Sequence, residues 1–163
     1  LTMAQLPAVD TPQFDWSRNH LPSRARPVPP VFAPEAVAEA IVGAVRNPPR
    51  ELWIGAPAMR AIVGGMAAPG LTDRLAASQA WDGQMDASAG PPSSEDNLFA
   101  PVEADVGARG RFGAESLPRV RAVSGFAMRA GAVLVGGLAL AGSAALGAAA
   151  ARRRSSARKP RGS

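Results

Sequence analysis

The sequence contains neither cysteine nor tyrosine, and it has one histidine and one lysine among its 163 residues. Without cysteine the chain can form no disulfide and no thiolate metal site, and a reducing compartment is allowed. The single histidine, His20, cannot build a metal site by itself, so no bound metal is expected. We place His20 on a loop surface, with substrate contact as the alternative. The only lysine, Lys159, stands close to the end of the chain.

The net charge of +5 and the pI of about 11.3 conceal three differently charged segments. Residues 1–80 carry seven arginines and six acidic residues, and residues 81–118 carry two arginines and seven acidic residues. Residues 119–163 carry nine basic residues and no acidic one. The high pI therefore describes a tail and not a basic globular surface, and we expect no nucleic-acid partner.

The start of the chain predicts a strand followed by an ordered lid. The short apolar run from Leu1 to Leu6 stops at Pro7, which favours a strand that ends there. The connection that follows, residues 7–33, contains six prolines, and connections of this length are usually functional or disordered. Phe14 and Trp16 provide apolar groups for packing, so we favour an ordered lid over residues 12–33.

A helix and a second strand are predicted next. Proline suits the first turn of a helix, and APEAVAEAIVGAVRN after residue 32 has Pro34 in that position. Its apolar residues repeat at i, i+4 and i+8 and predict one buried stripe: Val37, Ile41 and Val45. Residues 51–55 form a short strand, with Trp53 in the core. Strand, helix and strand in this order predict a parallel pair.

The remaining segments predict two helices, a linker and an apolar helix. Residues 58–66 and 71–80 favour helices, and further strands of the sheet are expected upstream of Leu1, because two strands alone are marginal. Residues 81–118 are acidic and include SAGPPSSED, which is typical of a disordered linker. Only Leu98, Phe99 and Phe112 offer groups for local docking there.

Residues 130–151 carry no charge, and 22 residues of helix are about 33 Å long, enough to cross the apolar core of a bilayer. Basic residues follow this stretch. Because alanine and glycine dominate it, an alanine-rich soluble or disordered tail is the alternative to a membrane helix. The basic flank favours a cytoplasmic C-terminus. A helix that crosses the membrane and one that lies in the membrane interface are both considered, so the sequence leaves the orientation open.

Three stretches resemble the C-terminal part of the short-chain dehydrogenase/reductase family, in a membrane-tailed bacterial form. PAVDTP follows the first strand, TPQFDWSRN and PVPPVFAPEAVAEAIV span the lid and helix, and RELWIG forms the closing strand. The resemblance covers residues 1–80 well and residues 81–118 loosely. It implies an α/β fold, the C-terminal portion of a doubly wound parallel (Rossmann-type) sheet, followed by the disordered linker and one apolar C-terminal helix.

The resemblance also implies an NAD or NADP cofactor and a small carbonyl or alcohol substrate. Thr11 would hydrogen-bond the nicotinamide carboxamide, the backbone of Pro7, Ala8 and Val9 would line the nicotinamide, and Phe14 and Trp16 would belong to the substrate lid. One departure is Ala8, where the family usually has glycine. The catalytic domain would be cytoplasmic and membrane-associated through the C-terminal helix, and a homo-oligomer is left open.

The catalytic residues of that family have no counterpart in this sequence. The family uses a tyrosine, a lysine four residues later and a serine, and this chain has no tyrosine. We therefore assign no catalytic residue and expect the segment to be inactive alone. Without the resemblance, Thr11 would be taken for a turn residue, and Asp10 and Asp15 are expected at solvated loop positions. The alternative function is a non-enzymatic, membrane-tethered interaction protein.

Overall fold

The computed structural model describes residues 1–91, 96–103, 105 and 107–157, and the side chains of residues 139 and 144–157 lie outside this description. The chain forms two units, Leu1–Ser124 and Gly125–Ser163. The sequence predicted divisions after residues 80 and 118.

The described residues of the first unit form seven short strands and four helices, and those of the second unit form one helix. In chain order the elements are β1 (Met3–Gln5), β2 (Ala8–Val9), α1 (Gln13–Trp16), β3 (Arg24–Ala25), β4 (Val31–Phe32), α2 (Pro34–Ala44), β5 (Glu51–Ile54), α3 (Ala56–Ala67), α4 (Pro69–Gly83), β6 (Met85–Asp86), β7 (Ala122–Ser124) and α5 (Gly125–Ala157).

A three-stranded sheet in the order β1-β5-β7 organises the first unit. Strands β1 and β5 are parallel, with Gln5 opposite Trp53, which confirms the predicted parallel pair with α2 between its strands. Strand β7 pairs antiparallel on the other side of β5, with Val123 opposite Trp53. The fold is thus mixed α/β with a small sheet of one parallel and one antiparallel pair, and the described strands do not form a complete doubly wound sheet.

The predicted lid is ordered by two short strand pairs. β2 runs parallel to β4, with Val9 opposite Phe32. β3 runs antiparallel to β6, with Arg24 opposite Asp86. Leu117 extends the first pair, because its N–H donates to the carbonyl of Val31 at 2.9 Å. Residues 12–33 are therefore tied to segments that follow far along the chain.

The core lies where α2 packs on β5. Its apolar cluster is small and consists of Phe32, Val37, Leu52 and Ile54. Trp53 is fully buried, as its mid-strand position predicted, and its indole N–H donates to the carboxylate of Glu51 at 3.1 Å. Burial of this side chain removes a large apolar area from water in a core that has few other members.

The predicted buried stripe along α2 is wrong beyond its first residue. Val37 is buried, but Ile41 is 39% exposed and Val45 is 70% exposed. Both side chains line open clefts on the surface of the unit. Apolar periodicity predicts which face a helix would bury, and actual burial requires a covering surface. The described elements cover the side of α2 that carries Val37, Ala40 and Ala44 and leave Ile41 and Val45 exposed.

Helices α3 and α4 are longer than predicted and form a hairpin joined at Ala68. Pro57 and Pro69 stand in their first turns, where the missing N–H of proline is tolerated. Neither helix contributes a buried side chain. Their exposed apolar groups include Met66 and Trp81, at 62% and 61% exposure.

The described part of residues 81–118 differs from the disordered linker that the sequence predicted. Its β6 pairs with β3, and Phe112 is 4% exposed, whereas Leu98 and Phe99 stay exposed. The predicted linker includes residues 92–95, 104 and 106, which lie outside the described residues. The structure differs from the prediction because two residues of this acidic stretch, Phe112 and Arg111, contact residues among the first 30.

The second unit is the single helix α5, which begins at Gly125, five residues before the predicted span. The stretch Gly125–Ser143 has a mean hydropathy of 1.5 and is long and apolar enough to cross a membrane. Val133, Leu134 and Val135 are all exposed, and three consecutive residues point to different sides of a helix. The side chains of the later part of the predicted span, residues 144–151, lie outside the description.

Replacing the buried indole tests the position of the core. We expect Trp53→Ala to lower the free energy of unfolding by about 3–5 kcal/mol, the usual result of emptying a large aromatic site. The matched control is Trp81→Ala, which removes the same side chain from an exposed helix position and should change stability by less than about 0.5 kcal/mol. Urea denaturation followed by circular dichroism measures both, and equal losses would contradict a core centred on β5.

Candidate functional site

A cleft of about 470 Å³ opens just beyond the carboxyl end of β1. Three walls form it: the segment that follows β1, the short helix α1, and one side of α2. The residues lining it are Leu6, Pro7, Ala8, Val9, Thr11, Gln13, Phe14, Pro34, Val37, Ala38 and Ile41.

The cleft gathers five of the six residues that the sequence predicted for the site. Four are the predicted cofactor contacts, and the fifth is the lid residue Phe14. The sixth, Trp16, is not among the described residues that line the cleft. It is half-buried at the end of α1, and its carbonyl accepts a hydrogen bond from the N–H of Asn97 at 3.0 Å. His20 is exposed, as expected for a loop surface.

Both parallel strands of the main sheet end beside this cleft. β1 leads into Pro7, and β5 ends at Gly55, whose φ of 83° favours glycine. A Cβ on Gly55 would lie 3.0 Å from the Cβ of Pro7, so the two strand ends are in close contact. Ligands of open parallel sheets bind beyond the carboxyl ends of the strands. The cleft lies at the corresponding place, beyond the carboxyl ends of β1 and β5.

The turn that carries Thr11 is held by backbone hydrogen bonds. The N–H of Asp10 donates to the carbonyl of Phe32, and the N–H of Thr11 donates to the carbonyl of Val9, both at 2.9 Å. Among the residues that the structure describes, none hydrogen-bonds the Thr11 hydroxyl. The hydroxyl is therefore not needed to hold the turn, and it is available for a ligand in the cleft.

Asp10 is buried, and the prediction of a solvated position is wrong. Its side chain is 1% exposed, and its Oδ1 accepts a hydrogen bond from the N–H of Phe112 at 3.0 Å. Its carbonyl accepts from the N–H of Gly110 at 3.2 Å. A buried carboxylate is tolerated only with hydrogen-bond donors, and here they come from a segment about 100 residues later. The one sequence signal for this contact was Phe112, an aromatic residue that stands between Gly110 and Gly113 in the predicted linker.

Asp15, also expected in solvent, pairs with Arg111. One guanidinium nitrogen, Nη1, lies 2.5 Å from Asp15 Oδ1. The other, Nη2, donates to the carbonyl of Ala25 at 2.9 Å and lies 3.4 Å from Asp86 Oδ2. Arg111 therefore joins α1, β3 and β6. The N–H donors of its one guanidinium group hold the lid at Asp15 and at Ala25.

Phe112 supports the aromatic residue of the cleft from behind. Its ring stands perpendicular to that of Phe14, with the centroids 5.9 Å apart, a favourable edge-to-face geometry. The guanidinium carbon of Arg111 lies 4.4 Å from the Phe112 ring centroid, and that of Arg26 lies 5.8 Å away. Arg26 also pairs with Glu115 at 2.6 Å. Phe14 is thus backed by the buried ring of Phe112, which the two guanidinium groups contact in turn.

Two carboxyl groups around the cleft have lowered pKa values. The hydrogen bond from the Ser88 hydroxyl, at 2.6 Å, is the main cause that lowers the pKa of Asp86, and Arg111 adds to it. At the start of α2, the hydrogen bond from Arg109 is the main cause that lowers the pKa of Glu35. Both groups are therefore anionic at neutral pH.

The cleft offers mainly shape and few polar groups. Its walls are mostly apolar, with the Thr11 hydroxyl and the backbone of the β1–α1 segment as polar groups. No cluster of three or more metal-ligating side chains occurs among the described residues. The arrangement can orient a flat ligand and exclude water from one side of it.

One curated protein is similar to this chain over part of its length. It is "Uncharacterized oxidoreductase YxnA" from Bacillus subtilis (strain 168), which is 33% identical over 94 residues. The match covers 56% of this chain and 26% of the relative, so the chain spans about a quarter of the relative's length. No protein-family profile matches the chain, and no solved structure matches it.

The lowered pKa of Asp86 predicts how the lid responds to acid. Because the pKa of Asp86 is lowered in the folded state, its ionised carboxyl stabilises the folded state at pH values above the ordinary pKa of 3.8. This stabilisation is lost as the pH falls through the lowered pKa. We expect Ser88→Ala to raise the pKa of Asp86 towards 3.8, so that the contact with Arg111 is lost at a higher pH. An NMR titration of the Asp86 carboxyl measures this shift.

The control is Ser78→Ala, which removes a hydroxyl that bonds only the Leu75 carbonyl of its own helix. This variant should leave the Asp86 titration where it is in the natural protein. An unchanged midpoint in Ser88→Ala would show that another group sets the pKa of Asp86.

Proposed function

We propose that this chain is the C-terminal part of an NAD(P)-dependent oxidoreductase of the short-chain type, contributing the nicotinamide-side loop and the substrate lid. The observation that carries the proposal is the cleft beyond the parallel strands β1 and β5. Pro7, Ala8, Val9 and Thr11 line it together. An oxidoreductase is also what the similar Bacillus subtilis protein is named.

The residues present are suited to a nicotinamide. A cleft of about 470 Å³ lies within the range of small-molecule sites, about 300–1,000 Å³. The Thr11 hydroxyl would donate to the carboxamide oxygen, and the segment from Pro7 to Val9 would lie along one face of the ring. The methyl group of Ala8 adds little bulk at that wall. When bound, the cofactor supplies hydride transfer to or from a carbonyl or alcohol carbon.

The lid would cover the substrate through Phe14. Its ring lines the cleft, and Phe112 holds it from behind, so an apolar part of a small carbonyl or alcohol substrate would contact a fixed surface. Trp16 serves this role indirectly, since it lies outside the cleft and anchors the end of α1. This chain has no tyrosine, so we assign to it the positioning of cofactor and substrate and not the transfer of the proton.

Membrane attachment through α5 is part of the proposal. Apolar side chains of its first half are exposed on several sides, and a helix that is apolar all round is typical of a buried or membrane-spanning segment. The cofactor-binding unit would lie in the cytoplasm, where its cofactor and substrate are found. Failure to bind any nicotinamide cofactor would instead favour the non-enzymatic, membrane-tethered interaction protein.

Removing the Thr11 hydroxyl tests the cofactor site. In the full natural protein we expect Thr11→Val to weaken cofactor binding about fivefold, equivalent to one neutral hydrogen bond of about 1 kcal/mol. The KM for the cofactor and its dissociation constant measure this. The matched control is Thr72→Val, whose hydroxyl bonds the Ala68 carbonyl within α4, far from the cleft in sequence. If cofactor KM and turnover are unchanged in Thr11→Val, the residue only shapes the turn.

Two truncations test the role of α5. A chain ending at Ser124 should move from the membrane pellet to the supernatant in ultracentrifugation and keep its fold, because it retains every described strand. Full-length protein in the supernatant would refute membrane attachment.

A chain ending at Pro118 should also leave the membrane but unfold at a lower urea concentration. It loses β7, which hydrogen-bonds to Leu52, Trp53 and Ile54. Equal stability of the two truncated chains would mean that β7 contributes nothing.

A further inference from the structure

A segment from the predicted linker contacts all three walls of the cleft. We name this segment, residues 109–117, the strap. It reaches the wall after β1 through Asp10, the α1 wall through Phe14 and Asp15, and the α2 wall through Glu35. The last contact is an ion pair between Arg109 and Glu35 at 2.7 Å. None of these strap residues lines the cleft itself, so the strap supports the walls from outside.

The contact with Asp10 is the most buried of these. Two N–H groups of the strap meet this one residue: that of Phe112 donates to its carboxylate at 3.0 Å, and that of Gly110 donates to its carbonyl at 3.2 Å. Asp10 directly precedes Thr11. The backbone at Thr11, the predicted cofactor contact, is therefore held from two sides. The strap holds it on one side, and the hydrogen bond from the N–H of Asp10 to the carbonyl of Phe32 holds it on the other.

Gly110 is required by this close approach. A Cβ at that position would lie 2.6 Å from the carbonyl oxygen of Thr11 and 2.7 Å from Asp10 Oδ1. The first of these neighbours is backbone, which cannot rotate away as a flexible side chain can. At Gly113, three residues later in the same strap, a Cβ would meet only Asp10 Oδ2 at 3.8 Å, an ordinary contact. An added methyl group would therefore clash with backbone at Gly110, whereas there is room for it at Gly113.

We propose that Asp10 and Gly110 are positioning residues of the cofactor site: the strap holds the Asp10–Thr11 backbone where the Thr11 hydroxyl meets the nicotinamide carboxamide. This inference rests on the proposed function. It assigns to Asp10 and Gly110 an indirect part in cofactor binding, although Gly110 lies outside the stretch in which the sequence placed the site. Neither residue touches the cofactor, and each acts through Thr11.

The pair of glycines gives a matched experiment in the full natural protein. We expect Gly110→Ala to raise the KM for the nicotinamide cofactor at least about tenfold, because the new methyl group pushes the Thr11 carbonyl away. Gly113→Ala adds the same methyl group and should leave that KM within about twofold. Hydrogen exchange of the Asp10 and Thr11 amides should become faster in Gly110→Ala only.

Asp10 itself supplies a second measurement. Asp10→Leu removes the acceptor for the Phe112 N–H and should raise the cofactor KM as Gly110→Ala does. Asp10→Asn keeps an acceptor oxygen and should recover most of the lost cofactor binding. Residues with a purely structural role would lower the fraction of folded protein and kcat together and would leave the cofactor KM of the folded fraction unchanged.

The outcomes separate this inference from the proposed function. If the natural protein binds no nicotinamide cofactor, the proposed function fails, and amide exchange at Asp10 and Thr11 still shows whether the strap holds that turn. If the protein binds the cofactor but Gly110→Ala leaves both its KM and the amide exchange unchanged, the positioning role is overturned. A loss shared equally by Gly110→Ala and Gly113→Ala overturns it as well.

Discussion

The buried carboxylate of Asp10 is the constraint on which the arrangement of the cleft depends. A carboxylate removed from water must be satisfied by donors, and the N–H of Phe112 meets this need across 102 positions of sequence. The same residue of the strap places its aromatic ring against Phe14. The contact with Asp10 thereby joins the end of β1, the lid and the strap, together with the ion pairs of Arg109 and Arg111.

Strand β5 has the corresponding role for the sheet. It is the central strand and lies between a parallel neighbour and an antiparallel one. Its Trp53 and Ile54 are fully buried, and Gly55 brings its end against Pro7. The cleft therefore opens beside the central part of the sheet. The lid that borders it is tied by the β2–β4 and β3–β6 pairs as well as by side-chain contacts.

The charges of the unit are concentrated where the lid meets later segments. Arg26 and Arg111 pair with Glu115, Asp15 and Asp86, and both arginines lie over the ring of Phe112. Exposed ion pairs contribute little individually, but an arginine that joins three segments also fixes their geometry. The acidic character of residues 81–118, which suggested disorder, supplies partners for the arginines of the lid.

Local features of the sequence were enough to determine several elements. Pro34 and the apolar repeat after it predict α2, the bulky centre of residues 51–55 predicts the buried strand, and the strand–helix–strand order predicts parallel pairing. The resemblance at residues 7–12 placed the candidate contacts, and four of them lie together in the cleft. The helix, the strand and the pairing depend on backbone preference and on short-range periodicity, both of which can be seen in a window of a few residues, whereas the candidate contacts came from the resemblance alone.

The tertiary structure alone decided which contacts form between segments that are distant in the sequence. Nothing near Asp10 in sequence indicates that its carboxylate is buried, because its donor comes from Phe112. Likewise, nothing near Ile41 shows that this periodic apolar residue stays exposed, because burial depends on what covers a surface and not on the surface itself. The sequence determines which groups need partners, and only the fold determines which partners they meet, since that choice is made by contacts between residues far apart in the chain.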